Sequence, residues 1–521
     1  MINHFGTMRI SLLIFIVIIA TGCGSLKSSF NPNKKYSPHQ LEKDYTIFEN
    51  VLEESHPGLY WYTSKDSMDY YFSWGKQQIK DSLTEPEFRK VLSYVISKMD
   101  CGHTTVRSSK KYSKYLDTLR NEKFFPLSLK LWDDTIVVAA NLNRRDSILK
   151  RGTVIQAIDH KSLKEITDTL FKFISSDGYN LTHKFQSLSN RGIFGSLYTG
   201  VYGMASRYSI DYSDSTGKNH SVIIPVYDPA KDTVNRGAIR RFIRPTKKER
   251  KRMNLQTMRS LRLDTTGSIA FLDVNSFGRG YQLKRFFRQS FHTLRKNRVQ
   301  NLVIDVRGNG GGSVTNSTLL SKYLANHKFK VCDSLYAINR HSRYRSYINN
   351  YFFNQLFMLV FTRKKTDGRY HFAWFENHYF KPKRKNHFNG KSYVLIGGNS
   401  FSATTLFANS IIEQNNVIVV GEETGGGSYG NTAWLIPDVK LPETKLQFRL
   451  PLFRLVMDRS KPKTGHGIIP EVEVKPNVDA IRRNADYKLD KVMELIKEAS
   501  SRPSPKEKAT STQSSSLKNS H

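Results

Sequence analysis

The chain has few cysteines, no long apolar run, and few acidic side chains to set against its basic ones. Three cysteines in 521 residues are too few for a disulfide framework or a Cys-rich zinc module. Neither Cys101 nor Cys332 has metal-ligating neighbours in sequence, so no metal or other cofactor is expected. No stretch approaches the roughly 20 apolar residues that span a bilayer, which excludes a multi-span membrane protein. Asp and Glu number 45 against 81 Lys and Arg, a formal net charge of +36. The densest basic block, Arg240 to Arg252 (RRFIRPTKKERKR), has no aromatic interleaving beyond Phe242 and matches no nucleic-acid motif. Nucleic acid is therefore not an expected partner. A solvated surface facing anionic lipid or envelope polymers explains the charge better. The 38% of hydrophobic residues is ample for packed cores, which excludes a wholly disordered chain, and the length fits two to four units.

The N-terminus speaks to location. Arg9 precedes Ile10 to Ala20 (ISLLIFIVIIA), eleven residues in which only Ser11 is polar. A basic start, a short apolar stretch and then small residues form a secretory signal, expected over 1–22. The following A-T-G-C ends at Cys23 and resembles a bacterial lipobox, which implies a lipid on Cys23. Residues 23–36 would then be a small, polar tether. The expected location is the cell envelope, as a lipid-anchored membrane protein on the outer membrane or periplasmic face.

Texture divides the rest. Over 37–115, apolar residues recur at three-to-four spacing in LEKDYTIFENVLEE and EPEFRKVLSYVISKM, with a break at His56-Pro57-Gly58, and predict a helical unit. Residues 124–228 turn to short strands such as LSLKLW, TIVVAA and TVIQAID. A basic connector is expected at 229–265. From 266 to 478 strands alternate with helices, the signature of an α/β core, and SIAFLDV, NLVIDV, SYVLIG and NVIVVG are its clear strands. An aromatic-rich stretch from Tyr344 to Phe388 is either packing under a long excursion or the wall of a substrate groove. A last amphipathic helix is expected within 479–500, and a Ser-rich disordered tail over 501–521.

Two strand ends can carry chemistry. VIDVRGNGGGS (303–313) runs a buried strand into Gly308, Gly310, Gly311 and Gly312, and such a loop can aim backbone N–H groups at one point. It lacks the Lys-Ser/Thr ending of a phosphate loop and the GxGxxG dinucleotide spacing, which favours an oxyanion as its target. VLIGGNSFSATTLFANSII (394–412) predicts a strand, a turn, and a helix starting near Ser402. A serine there is an ordinary helix cap or a nucleophile with the Ala403 N–H beside the attacked carbonyl. His103, in Asp100-Cys101-Gly102-His103-Thr104, is a structural histidine or its base.

Taken in order, DCGHTTV, a PDZ-like segment, VIDVRGNGGG, GGNSFSATTLFA, VIVVGEETGGGSYGN and GHGIIPEVEV resemble the tail-specific, or C-terminal processing, serine peptidases over most of 37–478. The resemblance implies a multidomain α+β protein: a helical N-terminal unit, a PDZ-like β-rich domain and a crotonase-like (ββα) protease core. It implies Ser402 as nucleophile, with Ala403 and Gly310 or Gly311 as oxyanion donors. The best-known branch places a lysine base where this chain has Gly427, and no lysine occurs between Lys391 and Lys440. The tricorn-like branch instead uses a histidine matching His103, preceded by a serine where this chain has Gly102. That branch's acidic partner has no clear match in KPKTGHGIIPE, so Glu422 and Glu423 are the candidates to orient the base. ILKRGTVIQAIDHKSL (148–163) resembles the end of a PDZ domain, which implies binding of polypeptide as an added strand. The expected function is a serine endopeptidase of the cell envelope acting on polypeptides. The alternative is a catalytically inactive peptide-binding lipoprotein on the same fold.

Overall fold

The computed structural model describes residues 30–119, 122–214, 216–232 and 245–501. The signal segment, Cys23, most of the tether, the middle of the basic connector and the tail beyond Ser501 lie outside the described residues.

The helical unit comprises α1 (Pro38–Ser55), α2 (Lys65–Gln77), α3 (Glu85–Ser97) and α4 (Lys110–Thr118). Ser37 with Gln40, and Thr84 with Glu87, form capping boxes, each followed by a proline in the first turn. These satisfy N–H groups that a new helix leaves unpaired. The unit begins before residue 37: Lys35–Tyr36 pairs antiparallel with Leu83–Thr84, and Tyr36 is buried. Its core is not its own. Phe48, Leu52 and Phe88 pack with Val439, Leu446 and Phe448, distant in sequence, and the Phe48 and Phe448 rings meet edge-on at 5.2 Å. Val106–Arg107 also pairs with Gln447–Arg449, so the unit is stitched into the α/β core.

A second body is an antiparallel sheet of β1 (Leu127–Trp132), β2 (Thr135–Asn141), β3 (Val154–Ile158), β4 (Arg207–Ser213) and β5 (Asn219–Pro225), in that order, with Lys161–Ser162 paired to β3. Asp159 and His160 both have positive φ at the β3 hairpin, as a two-residue primed turn requires. Helices α5 (Leu163–Leu170), α6 (Leu181–Ser189) and α7 (Ile193–Tyr202) are inserted before β4.

The third body begins earlier than expected. Part of the stretch read as a connector forms α8 (Lys247–Met258) and β6 (Arg259–Leu263), and β6 is the antiparallel edge of the central sheet. The sheet continues with β7 (Ile269–Val274), β8 (Asn301–Asp305), β10 (Lys391–Ile396), β11 (Val417–Gly421) and Val472–Glu473, all parallel. Both faces are covered, which is why these strands read as near-continuous apolar runs. Leu302 and Ile304 face α9 (Leu283–Lys296) and α10 (Val314–Leu324). Val303 and Leu395 face Val492 and Ile496 of the last helix, α13 (Tyr487–Ser501). Helix α9 shows the helical period plainly, burying Leu283, Phe286, Phe287, Ser290, Phe291 and Leu294.

A smaller antiparallel sheet holds β9 (Ser334–Ala337), β12 (Gly430–Ala433) and β13 (Phe453–Val456), extended by Tyr370–His371 and Arg363–Lys364. The aromatic insertion contains α11 (Tyr351–Phe361). Because β8 and β10 are parallel neighbours, with Asp305 level with Leu395, the loops after them emerge at the same sheet end. That end is where α/β sheets hold ligands.

Candidate active site

Ser402 sits where the strand β10 turns into α12 (Ala403–Asn409), at φ +58 and ψ −119. Its position is that of an N-cap, yet its side chain makes no capping hydrogen bond. The turn is held by other groups. Ser400 Oγ donates to the Val306 carbonyl at 2.8 Å, the Phe401 N–H donates to the Asn309 carbonyl at 3.1 Å, and Thr404 Oγ1 donates to that carbonyl at 2.8 Å. A left-handed φ is costly for a residue with a Cβ, and these contacts hold it in place.

The glycine loop packs directly against this turn. A Cβ on Gly311, itself at φ +97, would stand 2.7 Å from the Phe401 carbonyl oxygen and 2.8 Å from the Ser402 Cβ, so only glycine allows the approach. Of the two glycines named from sequence, the structure separates the roles. The Gly311 N–H is occupied, donating to Asn309 Oδ1 at 2.9 Å, and is corrected as an oxyanion donor. The N–H groups of Gly310 and Ala403 have no hydrogen-bond acceptor among the described residues.

His103 is buried and lies in the turn after α3. His56, just past the end of α1, fixes this turn by a 2.8 Å bond between its Nε2 and Thr104 Oγ1. Its Nδ1 accepts the Gly58 N–H, so Nε2 carries the proton and donates. Neither ring nitrogen of His103 has a hydrogen-bond partner. Nδ1 is 3.7 Å from Oδ1 of Asp177, also buried. Asp177 accepts the Gly102 N–H on Oδ1 at 2.9 Å and the Gly427 N–H on Oδ2 at 3.4 Å. Burial alone would raise the Asp177 carboxyl, but the neighbouring His103, the Gly102 N–H and the Arg454 charge outweigh it and hold it below the usual carboxylate range. Arg454 is itself buried, its guanidinium lying 3.5 Å from the Trp61 ring centroid and donating to Thr432 Oγ1 at 3.0 Å.

The Glu422 and Glu423 expectation is corrected. Glu422 is buried against Lys488 of α13 and accepts from Gln186 Nε2 at 2.8 Å. Glu423 accepts from Thr182 Oγ1 at 3.1 Å and from the Gly467 N–H at 2.6 Å. Neither carboxylate touches His103. Both instead tie α6, which directly follows the Asp177 loop, to the core. That loop is held further by the Gly178 N–H on the Asp100 carbonyl and the Tyr179 N–H on the Gly465 carbonyl, each at 2.9 Å. Asp177 lies in SSDGYN, a loop with no motif of its own, so sequence reasoning passed over it. The one signal was compositional: an Asp-Gly pair in a stretch read as short strands.

Gly102, where the histidine-using branch carries serine, is explained by Phe401. A Cβ there would stand 2.6 Å from the Phe401 ring. The ring lies between two imidazoles, with centroids 4.6 Å from His103 and 5.1 Å from His183. His183, also missed from sequence, is linked through Nδ1 to the Gly398 carbonyl at 2.7 Å, and burial lowers its pKa.

These groups line one cavity of about 720 Å³, walled by His103, His183, Gly308, Gly310, Ser402, Ile436 and Arg449 among others. None of the aromatic residues from Tyr344 to Phe388 lines it, so the groove-wall reading of that stretch fails for this cavity. Cys101 is buried with its thiol pushed up to about 11, first by burial, so it is not a thiolate nucleophile.

The uncapped Ser402, the His103 imidazole and Gly310 thus line one cavity. Residues 268–474 match the family model described as Peptidase family S41, and the chain carries a peptidase domain of that family, the tail-specific proteases. No curated protein matches the chain. Among solved structures, mature CPAF complexed with lactacystin is 14% identical, with a TM-score of 0.61 over 88% of this chain and 98% of that one. Mature CPAF alone gives 13% identity and a TM-score of 0.60 over 88% and 97%. The tricorn protease gives 15% identity and 0.38 over 88% of this chain and 37% of that one. At such identities the CPAF structures show the fold alone.

Proposed function

We propose that this chain is an endopeptidase of the cell envelope that cleaves polypeptides by acyl transfer through Ser402. One observation carries the reading: Ser402 occupies a helix N-cap position at a costly φ without capping, leaving its hydroxyl free in the cavity that His103 lines. In the proposed reaction His103 takes the Ser402 proton while Oγ attacks the peptide carbonyl. The oxyanion is received by the N–H groups of Ala403 and Gly310, and the imidazolium then gives its proton to the leaving amine. Water, deprotonated by the same imidazole, attacks the ester and releases the acyl product. Asp177 Oδ1 stands 3.7 Å from Nδ1; closing to hydrogen-bond distance in the substrate complex, it would hold the ring in the tautomer that leaves Nε2 for the serine. On this reading, with a histidine as base, the chain is nearer the tricorn-like branch.

In the same reading the β1–β5 body is a PDZ-like domain that presents substrate as an added strand, and the core is crotonase-like. A lipid on Cys23 holds the enzyme at the membrane. Labelling the protein with a fluorophosphonate and mapping the adduct tests the central claim. Modification of Ser402, absent in Ser402→Ala with folding retained, is the expected result. Cleavage of an unfolded protein by Ser402→Ala at the parent rate would move the active site elsewhere.

A further inference from the structure

Helix α11 (YFFNQLFMLVF) is apolar apart from Asn354 and Gln355, and only its inner face is covered. Met358 and the half-buried Phe357 pack against Phe372 and Phe453. The opposite face leaves Phe352 at 69% and Phe353 at 70% exposure, with Leu356, Leu359 and Val360 also exposed. These residues recur at helical spacing and form one stripe rather than scattered single side chains. Tilted ring contacts beside the helix lead to a further exposed aromatic: Phe361 meets the buried Phe372 at 5.9 Å, and Phe372 meets Trp374 at 6.2 Å. Trp374 is itself 60% exposed. No acidic residue lies on the helix. Exposed basic residues stand at both of its ends, with Arg345 before it and Arg363 and Lys364 after it. Arg345 and Lys364 have no ion-pair partner among the described residues.

An apolar helix face of this size calls for a cover. With eleven residues it is about 16 Å long, far short of a bilayer span, so a membrane could cover it only with the helix lying in the interface. Apolar and aromatic side chains on one face, flanked by cations, are what an anionic lipid surface takes up. A chain of formal net charge +36 adds long-range attraction to the same surface. The face is separate from the Ser402 cavity, to which it contributes no residue. We infer that the exposed face of α11, with Trp374, is a membrane-docking surface that inserts into the headgroup region of an anionic bilayer.

Tryptophan quenching by brominated lipid reads this contact directly. Full-length protein is mixed with vesicles of brominated phosphatidylcholine containing phosphatidylglycerol, alongside Trp374→Phe and the triple variant Phe352→Ser/Phe353→Ser/Leu356→Ser. Wild type should be quenched more than Trp374→Phe, and the difference should shrink when phosphatidylglycerol is left out. The triple variant should lose that Trp374 signal and bind at least tenfold more weakly, with an unchanged melting temperature, since the three side chains are exposed. Protein that binds vesicles without quenching of Trp374 overturns the proposal, because another segment then makes the contact. Failure to bind overturns it as well. So does a self-associated species in sedimentation that the triple variant dissociates without any change in quenching, since the face would then join two copies of the chain.

Discussion

The backbone N–H of Gly427 donates to Asp177 Oδ2 at 3.4 Å, and Gly427 is the residue to which the family resemblance assigns the lysine base of the other branch. The place of a side-chain ammonium is taken by a main-chain donor to a carboxylate, and that carboxylate stands beside an imidazole. This relationship links the missing lysine to the histidine: the group that would supply the proton acceptor in one arrangement supports the histidine's partner in the other.

Asp177 should therefore matter to chemistry more than to folding. Asp177→Asn keeps the shape and can still accept the Gly102 N–H, but loses the charge opposite His103 Nδ1. The acylation rate with a fluorophosphonate should fall on the order of 10³- to 10⁴-fold, as expected when the carboxylate that fixes a histidine tautomer is lost. A near-parental rate in a folded variant would remove Asp177 from the mechanism.

His103→Ala should lose acylation to a similar or greater degree, and restoring the family lysine should not help. A Cβ at Gly427 would stand 2.8 Å from the Gly430 carbonyl oxygen, so Gly427→Lys must shift the backbone that carries the Asp177 donor. The double variant His103→Ala/Gly427→Lys should be as inactive as His103→Ala and should melt lower. Recovery of turnover would show that a lysine can serve from that site.

Gly102→Ser tests the contact with Phe401. The added Cβ overlaps the ring, and overpacking of this kind costs about 1–3 kcal/mol. Because Phe401 precedes Ser402, acylation should fall along with thermal stability. Combining the change with Phe401→Leu should restore part of both, giving a coupling energy of about 0.5–3 kcal/mol in a double-mutant cycle. Strict additivity would mean that the two residues do not meet.

Stability should fall as pH drops below about 6.5, the ordinary histidine value. Burial, then the Arg454 charge, lowers the His56 pKa to about 3, and burial lowers that of His183. Between pH 3 and 6.5 the unfolded chain therefore binds a proton at His56 that the folded chain does not, and the lowered His183 acts in the same direction. The stabilisation is fully present above the unfolded pKa and is lost with falling pH, at about 1.4 kcal/mol per pH unit for His56. Urea unfolding from pH 7 to 4.5 should show this slope, and His56→Gln should flatten it. An unchanged slope would mean that other groups set the acid limb.

Local chemistry was legible in the sequence. A buried strand ending in RGNGGG and another ending in GNSFSA place two loops by their own patterns, because strand pairing and glycine's backbone freedom act over a few residues. Ser402 and Ala403 could be singled out on that basis, while Gly310 came only as an alternative to Gly311 through the family resemblance. The fold alone decided which further groups reach them. Asp177 lies 75 residues from Gly102 and 250 from Gly427, the two residues whose N–H groups it accepts, and its loop has no periodicity to mark it. Glu422 and Glu423 stand next to each other in a suggestive motif, yet each was drawn to a different partner by packing across α6 and α13. The Gly311 N–H looked free in sequence until Asn309 turned back to take it. Such assignments depend on which side chains meet after long-range packing, and a one-dimensional pattern holds no record of those distances.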